Sequence, residues 1–94
     1  MTKVIFRKFS NGDIIALFPE IPTDINGYRC TDYLHTGQHG SSDPITVVKQ
    51  TKLATPDEYK TLYNELLKVG YKDLKVVKKF NSRDARIRRY QVAY

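Results

Sequence analysis

The chain is predicted to fold as an α+β domain, a mainly antiparallel sheet of four to six strands with one amphipathic helix at about 56–69 packed on one face. Three features carry this expectation. Short runs rich in β-branched and aromatic residues recur between turn signals. An Asn11-Gly12 pair separates the first two runs, and one later segment switches to helical spacing behind a capping signature.

Taken in order, Val4 to Phe9 and Asp13 to Phe18 read as a hairpin, because Asn-Gly supplies the positive φ that a tight turn needs. Pro19 is expected to end the second strand, since proline cannot donate to a ladder. The segment PEIPTDING then reads as a loop, and Pro19 and Pro22 as part of a stiff turn. Tyr28 to His35 alternates and predicts a third strand, with Tyr28, Cys30, Asp32 and Leu34 on one face. Asp32 on that face needs solvent or a donor from a neighbouring strand. TGQHGSSDP reads as a loop, its glycines serving backbone geometry. Ile45 to Thr51, dense in β-branched residues, reads as a fourth strand.

The helix has the fullest local signature. Thr55 is placed as N-cap, Pro56 at the first helical position and Glu58 as the partner in a T-x-x-E capping box. Tyr59, Leu62, Tyr63, Leu66 and Val69 form one apolar stripe, and Gly70 stands where a left-handed residue ends a helix. Leu74 to Phe80 and Ala85 to Val92 then read as two strands around the turn Asn81 to Asp84, a basic C-terminal hairpin at about 74–93.

The 94 residues suffice for a single domain, 1–94. Cys30 is the only cysteine, so no internal disulfide can form, and no run approaches 18 apolar residues. The N-terminus lacks the apolar core of a signal peptide, so a cytoplasmic protein with no membrane partner is expected.

Charge is the informative feature. Residues 1–71 carry eight Lys+Arg and eight Asp+Glu, whereas residues 72–94 carry eight basic residues against Asp73 and Asp84. The whole net charge of +6 therefore lies in the last quarter of the chain. On a hairpin, Lys75, Lys78, Lys79, Arg83, Arg86, Arg88 and Arg89 would meet phosphates, with Tyr90 and Tyr94 available to stack on bases. Lysine and arginine on exposed strands also serve solubility, but such a device would be spread over the surface rather than gathered at one end.

A secondary loop site at His35, Gln38, His39 and Ser41 admits three chemical readings. A metal site would draw on Cys30, His35, His39 and Asp43, but only one short His-x3-His pair has the required spacing and Cys30 faces away from His35. A hydrolase would need His39, Ser41 or Ser42, and Asp43 to converge, yet they are near neighbours in sequence, whereas triads are assembled from separate elements. Backbone amides of Gly37 to Ser42 could also cradle a phosphate. No catalytic residue, metal or cofactor is expected, and Cys30 reads as a small core residue.

The runs FRKFSNGDIIALFPEIP, GYRCTDYLHTGQHGSSDP and LATPDEYKTLYNELLKVGYKDLKVVKK resemble a group of small uncharacterised proteins of gut bacteria, their phages and mobile elements. ALFPE, GQHG and ATPDEY are the most specific pieces, and the resemblance spans residues 4 to 79, leaving out RDARIRRYQVAY. It brings no activity, cofactor or catalytic residue. It implies a mobile-element gene, in which small accessory proteins often bind nucleic acid or a host protein.

The expectation is therefore a non-enzymatic module that contacts nucleic-acid phosphates through its basic end. An interaction or inhibitor module for an acidic host protein is the alternative, with a second copy of the chain as a further candidate partner. A small enzyme at the HTGQHGSSD loop is the third reading.

Overall fold

The computed structural model describes residues 1–34 and 37–93, and His35, Thr36 and Tyr94 lie outside the described residues. The elements run β1 (Thr2–Lys8), β2 (Ile14–Pro22), β3 (Cys30–Leu34), β4 (Gln38–Ser42), α1 (Pro44–Gln50), β5 (Lys52–Leu53), α2 (Pro56–Val69), β6 (Leu74–Val76) and α3 (Ser82–Ala93). They build one mainly antiparallel sheet in the order β4-β3-β2-β1-β5, with β6 added in parallel to β1. The α+β class and the long helix agree with the sequence reading. Among the described residues no helix is long and apolar enough to cross a membrane.

The first hairpin forms as its turn chemistry dictates: Gly12 takes φ +95° and Ile5 pairs with Leu17 through to Lys8 with Ile14. Ile14 to Phe18 are all buried because β2 is sandwiched between two layers, so its run is continuously apolar rather than alternating. One layer packs Val4, Phe6, Ala16, Phe18 and Tyr33 under Leu62 and Leu66 of α2. Phe6 stacks on Tyr59 with centroids 4.3 Å apart, and Phe18 on Tyr71 at 4.7 Å. The other layer packs Ile5, Ile15, Leu17 and Cys30 against Val47 of α1, with Val77 and Phe80 at its margin. Asp32 lies on this second side and finds its donor in the Ser42 hydroxyl of the neighbouring strand.

The α2 boundaries match the sequence reading. Thr55 and Glu58 form the reciprocal capping box, and the Gly70 and Tyr71 amides both return to Leu66 O.

Five local expectations are corrected. β2 continues past Pro19 to Pro22; the register against β3 steps from Phe18↔Thr31 directly to Pro22↔Cys30, leaving Pro19, Glu20 and Ile21 as a bulge that needs no ladder donor. Gln38 to Ser42 is not a loop but the edge strand β4, held by backbone pairing to β3 with its side chains mostly exposed. Ile45 to Thr51 is not a strand, because Asp43 caps a helix there: its Oδ1 accepts the Ile45 amide at 3.1 Å, Oδ2 accepts the Thr46 hydroxyl, and Pro44 opens the first turn. The strand expected over Leu74 to Phe80 shortens to β6 and pairs parallel with β1, Lys3 opposite Lys75. The basic hairpin at about 74–93 does not form. Asn81 Oδ1 accepts the Asp84 amide at 3.0 Å and starts helix α3, in which Ala85 and Arg89, one turn apart, are buried.

Candidate nucleic-acid interface

The β2 bulge explains how α3 is held. By breaking the ladder it frees Pro19 O, and the turn ending at Gly27 offers a second carbonyl nearby. Arg89 fills the gap between them, its Nη1 donating to Pro19 O at 2.5 Å and its Nε to Gly27 O at 2.8 Å. The side chain is only 3% exposed, and burial pulls its pKa below the ordinary arginine value. The turn itself is braced by Asp24, whose carboxylate accepts the Tyr28 and Arg29 amides. Gly27 has φ +70°, and a Cβ there would lie 2.9 Å from the Tyr90 amide nitrogen, so only glycine lets α3 approach this closely.

With α3 seated, two adjoining grooves open beside it. The first, of about 700 Å³, lies between the 24–29 turn, the start of α1 and the first turns of α3. Arg29, Arg83 and Arg86 line it, with the buried Arg89 at its back. The Arg86 guanidinium lies 4.1 Å from the ring centroid of Tyr28, a residue left 57% exposed. Arg29 is steadied by Ser41, donating from Nε to Oγ and from Nη2 to the carbonyl, both at 2.8 Å. The carboxylates on the wall, Asp24 and Asp43, are occupied by backbone amides of the turn and of α1.

The second groove, of about 330 Å³, shares Ile45 and Ser82 with the first. Ile5, Val48 and Phe80 form its apolar floor, and Lys49, Lys78 and Lys79 stand at its rim. Arg7, also on this wall, is committed to structure: it donates to Val48 O, Thr51 O and Thr51 Oγ1 and so closes the C-terminal end of α1. Lys49, Lys78, Lys79 and Arg83 make no ion pair among the described residues.

The residues expected on a hairpin are thus redistributed. Lys78, Lys79, Arg83 and Arg86 come together along the two grooves. Arg88 points to the other side of α3, where its Nε lies 3.4 Å from Glu20 Oε2, a carboxylate it shares with Lys3. Arg89 is a structural latch, and Lys75 on β6 and Tyr90 on α3 both stand outside the two linings. Tyr94 lies outside the described residues. Arg29, Lys49 and Tyr28 belong to the surface and were missed, since nothing in their local sequence sets them apart from ordinary turn and helix residues.

The secondary loop site does not assemble. His39 turns to the α2 side, where its Nε2 lies 2.8 Å from the Tyr71 hydroxyl and its ring meets Tyr33 edge-on. The Tyr33 hydroxyl is itself hydrogen-bonded to Glu65, which raises its pKa. Ser41 is engaged by Arg29 and Thr23, Gln38 is exposed on β4, and His35 lies outside the described residues. Asp43 caps α1 rather than orienting His39. Burial pushes the Cys30 thiol up to about 12, far from a thiolate at neutral pH.

Fold and surface together define a small α+β domain with a double groove lined by arginine and lysine. No protein-family model, curated protein or solved structure matches the chain.

Proposed function

We propose that the protein is a non-enzymatic nucleic-acid-binding module, of the small accessory kind carried by phages and mobile elements, acting in the cytoplasm. One observation carries the reading. The two adjoining grooves gather Arg29, Lys49, Lys78, Lys79, Arg83 and Arg86, while the carboxylates beside them are held by backbone amides. Arginine forks and lysine ammonium groups at this density suit a line of phosphates. The anchored frame beneath them fixes the spacing of the charges, as β-bulge, Arg89 and Gly27 hold α3 against the sheet.

The test is binding of mixed-sequence DNA and RNA at two salt concentrations. With about four phosphate contacts, affinity should fall roughly 100-fold between about 50 and 200 mM salt. Replacing Lys78, Lys79, Arg83 and Arg86 by alanine should weaken binding sharply and flatten the salt slope, whereas Lys75→Ala, outside both groove linings, should change both far less. Absence of binding at the lower salt concentration would remove the assignment.

A further inference from the structure

We infer that the double groove takes single-stranded nucleic acid, receiving unstacked bases as well as phosphates. This rests on the phosphate-binding reading and narrows it. Cations alone would serve a duplex equally well, because both forms present phosphates. What distinguishes this surface is the apolar and aromatic area placed between the cations.

The second groove is floored by Ile5, Val48 and the Phe80 ring, with Lys49, Lys78 and Lys79 around its mouth. Its volume of about 330 Å³ is at the small end of ligand pockets, suited to one planar base rather than an extended ligand. In the first groove Tyr28 exposes more than half its surface, and the Arg86 guanidinium lies over its ring. An aromatic ring and a guanidinium plane are both surfaces on which bases stack. The two features meet at Ile45, itself 47% exposed, so a strand can cross from one to the other over an apolar saddle. A duplex keeps its base faces inside its own stack and would leave the Phe80 floor and the Tyr28 platform unused. A single strand must otherwise leave its base faces in water, and here it finds cover for them next to cations for its backbone.

The experiment compares a labelled single strand with a hairpin duplex of the same sequence, in DNA and in RNA form, at one low salt concentration. Single strands should bind at least about tenfold more tightly than the duplex. Tyr28→Ala and Ile45→Ser, both at exposed positions, should each weaken single-strand binding more than duplex binding, Tyr28→Ala by about tenfold for the single strand, with the far-ultraviolet circular dichroism unchanged. A 2-aminopurine placed in the strand should change its fluorescence on binding to the native protein, as it leaves its stacked neighbours. Equal or tighter duplex binding, or indifference to both substitutions, overturns the single-strand inference and leaves phosphate binding standing. Failure of every nucleic acid to bind overturns both.

Discussion

The two faces of the sheet are closed by different physics. On one, α2 lays an apolar stripe across Val4, Phe6 and Phe18, and two aromatic stacks seal its margins. On the other, Val47 of α1 closes a cluster of Ile5, Ile15, Leu17 and Cys30, and α3 is seated by a buried arginine reaching two backbone carbonyls. The first face is held by area, which tolerates small shifts of position. The second adds to its apolar cluster a few directional bonds that seat α3, and these fail together if one partner is lost. The proposed binding surface lies on the second, where exposed cations need a rigid frame and a large apolar seal would bury them.

The difference can be broken at its strongest point. Leu66→Ala removes a fully buried side chain from the α2 face and should cost about 2–5 kcal/mol, seen as a lower urea midpoint at which sheet and helices unfold together. Arg89→Ala should cost about 3 kcal/mol, because it strands the Pro19 and Gly27 carbonyls. Its signature should differ: amide exchange rises selectively in α3 while β1 and β2 stay protected. Equal loss of protection in the central strands would show that the faces are not independent.

Gly27→Ala probes the same face more gently. The strained φ and the close approach to Tyr90 predict a loss of about 1–3 kcal/mol, again read as weakened α3 protection. The smallest effect belongs to the α2 side. Glu58 is held down at about 2, first by its hydrogen bond from Lys8 and then by the Thr55 amide. Its folded pKa lies below the ordinary 4.5, so its contribution is complete above about pH 4.5 and is lost as the pH falls through about 2. Glu58→Gln should flatten the fall of thermal stability across that interval, costing a modest amount of stability at neutral pH and converging with the native protein near pH 2.

The same contrast governs what the sequence could reveal. The α2 face was legible because its information is local: a capping box, a stripe at helical spacing and a closing glycine all lie within sixteen residues of one another. Asp43-Pro44 carries the same kind of start signal as Thr55-Pro56, but the run of Ile45, Thr46, Val47 and Val48 suggested a strand; the cap and Pro44 prevailed over β-branched propensity. In α3 the buried positions are Ala85 and Arg89, so no apolar stripe marks the helix, and its arginines and tyrosine mimic strand alternation. The strand β4 has almost no strand propensity because its order comes from the ladder with β3. For the site, charge segregation singled out Lys78, Lys79, Arg83 and Arg86, which do meet. Arg29, Lys49 and Tyr28 join them only through tertiary folding, and Arg88 and Arg89 leave them for partners the sequence could not show.

The bulge at Pro19 to Ile21 is a socket made early in the chain for a side chain made late, and the first groove takes its walls from residues near 24–29, 43–45 and 82–86. The first groove is therefore complete only when α3 is in place and Arg89 has reached the bulge, which ties its shape to contacts between the two ends of the chain.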